Sequence, residues 1–320
     1  MTQLFSKKVS LWFRGLAIIM VILSHYAEWW AWFTPTHGNA ELLRQAISRL
    51  GPYGVAVFFL FSGYGLVKSI GNGPMTLSFI RKRVLSSYLP YLLVAGIIEG
   101  LSGGFTDLHD FAEYLYGHDY WFMVVLFLFY IAFICIWTIP ASRHIHALLF
   151  LTFTWAMSTV MYQNGEHSFW FISDPAFALG VLLALYEPFF IKFLNKGRTL
   201  IMLLLTSGMA EVVYFGIFSP FPAAWTQDKI IIAELLAVFI WTLLIVYLAS
   251  GLHHFDPVLP VLGSYSLYLY LTHQFLFLQV INTLSCSFAI RFAAAALLTL
   301  AVSIGLGLCI SVLTRFNIFK

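Results

Sequence analysis

Ten stretches of about 20 largely apolar residues recur along the chain, and this recurrence limits the fold more than any other feature. They run from 10 to 33, 52 to 70, 84 to 104, 120 to 139, 146 to 162, 175 to 191, 199 to 218, 229 to 250, 258 to 282 and 288 to 313. A helix of that length crosses the hydrocarbon of a bilayer, where each backbone N–H and C=O must bond within its own segment. The expected fold is therefore all-α: a polytopic integral membrane protein with about ten transmembrane helices. Charged residues make up 10% of the chain, against about 25% in a soluble domain, which leaves too little polar surface to cover a water-soluble fold. The N-terminus has the basic start and apolar run of a signal peptide. Arg14 inside the run and the lack of a small-x-small site make 10 to 33 a retained first span instead. The whole chain, 1–320, reads as a single transmembrane domain, with no repeat array or glycine-rich phosphate loop.

Loop charge orients the spans, because Lys and Arg collect in cytoplasmic connections. With the N-terminus inside, the cytoplasmic set is Lys7, Lys8, Arg14, Lys68, Arg81, Lys82, Arg83, Arg143, Lys192, Lys196, Arg198, Arg315 and Lys320. Arg44, Arg49, Lys229 and Arg291 then remain outside. The reverse orientation inverts the bias, so both N- and C-termini are expected in the cytoplasm. The outer connection 105–119 is acidic and aromatic, and reads as an interfacial helix, a lid over an outward-facing cavity, or a plain solvated loop. Asp174, between Ser173 and Pro175, is expected to cap a helix rather than to catalyse. Cys135, Cys286 and Cys309 are odd in number and lack C-x-x-C spacing, so they read as small hydrophobes, and no metal site is expected. His144, His146, His253 and His254 fall in cytoplasmic loops and read as surface residues.

Ionisable residues within a span are costly and so are candidates for function. The first span holds Arg14, His25 and Glu28. Eleven residues make about three helical turns plus 20°, so Arg14 and His25 share a face about 16 Å apart, and Glu28 neighbours His25 one turn on. A cation at the cytoplasmic mouth with an imidazole deeper in the membrane suits an anionic, long-armed donor. Coenzyme A has that shape, with phosphates at one end and a thioester at the other. A neutral His can take a proton from an attacking hydroxyl, and Glu28 can orient or stabilise it. The competing reading has Arg14 reaching lipid phosphates and His25 satisfying a packing hydrogen bond.

Five segments in order resemble the acyltransferase 3 family of membrane acyltransferases. Arg14-Gly15-Leu16-Ala17 through His25 is similar to its Arg/Lys-x10-His signature. FFLFSGYGL at 58–66, FIRKRVLSSYLPYL at 79–92, YWF at 120–122 and LGSYSLYLYLTH at 262–273 resemble later family segments. The family's ten spans with both ends inside agree with the charge-derived topology. The resemblance implies that His25 is the catalytic base and that Arg14 holds acyl-CoA. It further implies that Arg81 and Arg83 bind the donor's phosphates, that Ser62 bonds within the site, and that Tyr120, Trp121 and His273 line the acceptor region. Many members carry another cation before the proline, where this chain has Ser86 and Ser87 and so no charge for that phosphate contact.

The expected function is a membrane-bound O-acyltransferase of the cytoplasmic (inner) membrane. It would pass an acyl group, expected to be acetyl, from acyl-CoA (acetyl-CoA) to a hydroxyl of an extracytoplasmic or lipid-linked glycan. Acyl-CoA is the co-substrate, a glycan or lipid-linked sugar the acceptor and membrane lipids the surroundings, and no nucleic-acid partner is expected. Some of Glu28, Glu99, Glu211 and Glu234 are candidate ligands for sugar hydroxyls. A polysaccharide or small-molecule transporter, and a non-catalytic subunit of a glycan-assembly complex, are the alternatives from other classes.

Overall fold

The computed structural model describes residues 3–33, 37–71, 73–213, 226–251 and 257–315, and among these it contains helices and no strands. In chain order the α-helices are α1 (Lys7–Phe33), α2 (Asn39–Ser48), α3 (Leu50–Ile70), α4 (Leu77–Arg83), α5 (Leu89–Ser102), α6 (Leu108–Tyr116), α7 (Trp121–Thr138), α8 (Arg143–Gln163), α9 (Asp174–Leu185), α10 (Glu187–Lys196), α11 (Arg198–Val213), α12 (Gln227–Gly251), α13 (Val258–Ser264), α14 (Ser266–Thr283) and α15 (Phe288–Arg315). Among the described residues, eight helical segments are long and apolar enough to cross a membrane. The protein is thus an all-α, multi-pass membrane protein.

Local chemistry sets many of the helix ends. The Thr76 hydroxyl accepts the Phe79 N–H (3.2 Å) to open α4, and the Asp107 carboxylate accepts the Asp110 N–H (2.9 Å) to open α6. Gly71 (φ +61°) closes α3 and Gly117 (φ +91°) closes α6, in the left-handed region that other residues avoid. Between α4 and α5 the chain stays helical but widens into a π-turn over Val84–Tyr88. Pro90 has no N–H, which frees a carbonyl one turn back, and the wider turn absorbs that defect.

Two expected spans are each two helices. The stretch 175–191 breaks at Tyr186 (φ −116°, ψ 28°), where α9 ends and α10 begins. The stretch 258–282 breaks at Tyr265 between α13 and α14, and α14, with Thr272, His273 and Gln274, is too polar to fall among the eight spans. The stretch 199–218 is described only through α11, with its shorter apolar run at Arg198–Met209.

The chain divides into two compact units. The first comprises Met1–Pro74 and Phe129–Gly263. Its core is aromatic: Phe177 of α9 stacks on Phe129 of α7 (4.4 Å, 17°) and on Phe150 of α8 (5.6 Å, 20°). Membrane helices gain little from hydrophobicity against lipid and depend on close packing, which small residues permit. Here two crossings use glycines reciprocally. A Cβ on Gly15 would fall on the Leu259 carbonyl, and one on Gly263 on the Leu11 carbonyl, so α1 and α13 meet backbone to backbone. Gly63 lies against the Phe177 carbonyl and Gly180 against that of Leu60, which locks α3 to α9 in the same way.

The second unit comprises Met75–Leu128 and Ser264–Lys320. The Thr272 and Ser303 hydroxyls bond at 2.9 Å to join α14 to α15, and Gly307 of α15 leaves room for the rings of Tyr265 and Tyr268. α6 is held by Tyr114, whose hydroxyl donates to the Leu92 carbonyl of α5 (2.7 Å).

Candidate active site

α1 carries the central pair of the first unit. Arg14 and His25 are both half-buried, on faces set by the helical repeat. The His25 ring stacks on Trp29 one turn on (5.7 Å, 29°). Close packing against α3 fixes the axial position of α1: Gly54 brings α3 onto the Ala17 carbonyl, and Phe13 stacks on Phe61 (6.0 Å, 26°). The Ser24 hydroxyl donates to the Ser48 carbonyl at the far end. Ser62 of α3 is half-buried beside Gly63, the glycine of the α3–α9 contact. Glu28 is exposed, within the electrostatic field of Arg44 of α2. Arg44 itself pairs with Glu41 (2.6 Å) and donates to the Ala27 carbonyl (3.3 Å).

The other end of the same helix is clamped by a residue the sequence reading missed. Glu187, buried at the start of α10, accepts the Leu4 N–H (2.7 Å), the Tyr64 hydroxyl of α3 and the Lys68 ammonium (2.8 Å). Burial alone would raise this carboxyl. The bonds from Leu4, Lys68 and Tyr64, with the Lys68 charge, outweigh it and hold the group below the ordinary carboxylate value. Residues 4 and 5 therefore run into α1 from a fixed origin, and Phe5 packs edge-on against Phe61 (5.2 Å) and Tyr64 (4.8 Å). These contacts also gather cations at one end of the unit. Arg143 sits over the Tyr186 ring (5.6 Å), next to Glu187 and its Lys68 partner, and Lys192 and Lys196 follow on α10.

The second unit brings together Tyr120 and His273. The Tyr120 hydroxyl donates to the Leu271 carbonyl (3.4 Å), and Tyr270 contacts the rings of both Tyr120 (6.2 Å) and His273 (5.9 Å). His273 is 2% exposed, and its Nδ1 lies 2.6 Å from the Tyr270 carbonyl. A carbonyl only accepts, so Nδ1 carries a proton. Tyr91 packs against Tyr120 (5.9 Å) and donates its hydroxyl to the Tyr114 carbonyl. Glu99 lies within electrostatic reach of Tyr120, and Trp121 packs edge-on to Phe122 (6.4 Å). Arg81 is exposed in the last turn of α4, while Arg83 lies over the Phe79 ring (5.2 Å), just before the π-turn.

Other expectations turn out differently. Asp174 is the first residue of α9 and Ser173 the N-cap, and the Asp174 carboxylate, fully buried, accepts the Ser158 hydroxyl of α8 (2.9 Å). The partner lies on another helix, so no local pattern announces it. His144 and His146 lie in the first turn of α8 rather than in a loop; His144 is exposed, as expected of a surface residue, with its Nδ1 2.7 Å from the Tyr186 hydroxyl, and His146, half-buried, has its Nε2 3.0 Å from the Ile139 carbonyl. The 105–119 connection, for which helix, lid and loop were all open, contains a helix, α6, with Leu108, Phe111 and Leu115 exposed along one stripe. Asp107, His109 and Asp110 bring three ligand atoms within 4.8 Å of one another, but Asp107 caps the helix and Asp110 accepts the Thr106 N–H (3.0 Å) and hydroxyl. Those bonds, led by the hydroxyl, lower the Asp110 carboxyl below its ordinary value. The Glu211 side chain, His253 and His254 lie outside the described residues.

No curated protein sequence and no solved structure gives a significant match to the chain. The acyltransferase 3 family, described as an acyltransferase domain, matches residues 12–314, a span that takes in Arg14, His25, Ser62, Arg81, Arg83, Tyr120, Trp121 and His273. The chain therefore belongs to the acyltransferase 3 family, and it is a membrane acyltransferase.

Proposed function

We infer that this acyltransferase takes an acetyl group from acetyl-CoA in the cytoplasm and delivers it to a hydroxyl of an extracytoplasmic or lipid-linked glycan, in the inner membrane. The observation that carries the reading is the shared face of α1, with Arg14 and His25 both half-buried along it. The cations gathered at the Glu187 end of the first unit suit the cytoplasmic side, and this supports a reading in which the guanidinium of Arg14 meets the donor's phosphates and His25 the thioester.

In this reading His25 removes the proton from the acceptor hydroxyl as its oxygen attacks the thioester carbonyl. Collapse of the tetrahedral intermediate expels the CoA sulfur, which leaves as the thiol once it receives that proton. Arg14, Arg81 and Arg83 bind the phosphates of the donor, and Ser62 hydrogen-bonds within the site. Glu28 stabilises the imidazolium through its charge. Tyr120, Trp121 and His273 hold the acceptor. The tyrosine-rich cluster around Tyr120, with Glu99 close by, has the aromatic faces and hydroxyl partners that a sugar needs.

Mass spectrometry of envelope glycans and lipid-linked sugars from cells with and without the active protein tests the reading. A mass gain of one acetyl unit, dependent on the protein, is the expected result. Unchanged extracts, with acyl transfer instead to a soluble or protein acceptor, would overturn it.

A further inference from the structure

We propose that the outward face of α10 is a docking surface for anionic phospholipid headgroups. α10 follows the span Ser168–Leu185 after the single break at Tyr186, and its 10 residues extend about 15 Å, too short to cross a bilayer. It therefore lies at the membrane boundary.

The inward side of α10 is occupied. Glu187 is bonded to Leu4, Tyr64 and Lys68, and Leu194 is buried. On the outward side, Phe189, Lys192, Phe193 and Lys196 recur at the i, i+3, i+4, i+7 spacing of one helix face. Phe189 is 65% and Phe193 54% exposed, their rings lie parallel (6.3 Å, 12°), and both lysines are exposed.

Two bare phenylalanines are disfavoured in water, and two ammonium groups are disfavoured in hydrocarbon. The headgroup boundary satisfies both, with the rings among acyl chains and the lysine stems reaching up to phosphates. The charge selects the lipid. The sole acid of α10 is Glu187, turned inward and neutralised by Lys68, so the outward face is purely cationic, with Arg143 over the neighbouring Tyr186 adding to it. An anionic headgroup complements that field, whereas a zwitterionic one does not.

Native mass spectrometry of the full-length protein released from nanodiscs containing phosphatidylcholine and phosphatidylglycerol tests the surface. Wild type should retain phosphatidylglycerol in preference. Lys192→Gln/Lys196→Gln should weaken that retention about 30-fold, from two lysines near a charged surface. Lys192→Arg/Lys196→Arg, which keeps the charge, should retain it, and the exposure of both positions leaves folding intact. Equal retention by the Gln pair would overturn the proposal. So would displacement of the lipid by coenzyme A, which would assign the face to the donor's phosphates. Acyl transfer is measured separately, so either failure leaves the catalytic reading standing on its own test.

Discussion

Gly63 and Gly65 lie two residues apart on α3, and the packing predicts opposite results for the same substitution. A methyl group at Gly63 would fall on the Phe177 carbonyl oxygen of α9 and within 3.0 Å of the Phe177 ring. The oxygen belongs to a helix backbone and cannot rotate aside. A Cβ on Gly180 would likewise fall on the Leu60 carbonyl and within 2.9 Å of the Tyr64 nitrogen, so the two backbones touch from both sides. Restoring an ordinary contact would part the helices by about 1 Å, which forfeits roughly a quarter to a half of each dispersion contact along the crossing. Overpacking typically costs about 1–3 kcal/mol, and a rigid obstacle puts Gly63→Ala at about 3 kcal/mol. Gly65 has nothing within 4 Å of the same methyl, and alanine gains about 1 kcal/mol over glycine in helix propensity, so Gly65→Ala should be neutral or stabilising. Thermal unfolding of both variants in one detergent, followed by tryptophan fluorescence, measures the contrast. A Gly63→Ala protein that melts with wild type, or a Gly65→Ala protein that falls as far, would refute the backbone-contact argument.

Glu187→Ala removes the acceptor for three donors; the Lys68 side chain is 37% exposed, so its pair adds little, and a loss of about 3 kcal/mol is expected from the two buried hydrogen bonds and the residual pair. Because the Glu187 carboxyl is held below its ordinary value, its contribution is complete above the ordinary carboxylate range and is lost as pH falls through the lower native value. The stability gap between wild type and Glu187→Gln, measured by thermal unfolding across pH, should accordingly close in acid; a constant gap would contradict the assignment. Pro90→Ala returns a backbone donor and lets the π-turn close into an α-helix, turning Arg81 and Arg83 about the axis relative to α5. The protein should become no less stable while its KM for acyl-CoA rises; an unchanged KM would separate those arginines from donor binding. Arg14→Ala should raise the KM for acyl-CoA about 10- to 100-fold in steady-state assays, the worth of a charge-assisted phosphate contact, with kcat changed far less.

Much of this architecture was legible in the sequence because membrane solvation acts on composition. A run of about 20 apolar residues reports a span whatever it packs against. The α1 stripe was legible for a similar reason, since the helical repeat alone aligns Arg14 with His25. The breaks at Tyr186 and Tyr265 were not, because apolar residues continue on both sides of each break and a count of apolar residues does not register where one helix stops and the next begins. Pro188, just after Tyr186, was the one local signal for the first break. Glu187, Tyr64 and Lys68 meet through tertiary packing, as do Asp174 and Ser158, and one sequence places none of these pairs. The glycines of the Arg14-Gly15 and Ser62-Gly63 pairs were visible as letters, but their partners Leu259 and Phe177 lie far along the chain. Tyr91 and Tyr270, which surround Tyr120, stand within the segments 79–92 and 262–273, but nothing in those segments says that the two rings meet Tyr120.

The central claim is that the imidazole of α1 removes the acceptor's proton. Purified His25→Ala, matched to wild type in thermal unfolding and supplied with labelled acetyl-CoA and extracted glycan acceptor in proteoliposomes, tests it most directly. The account predicts a 10²- to 10⁴-fold fall in kcat, the usual worth of a general base, with the KM for acetyl-CoA little changed. A His25→Ala protein that transfers acetyl at the wild-type rate would contradict it.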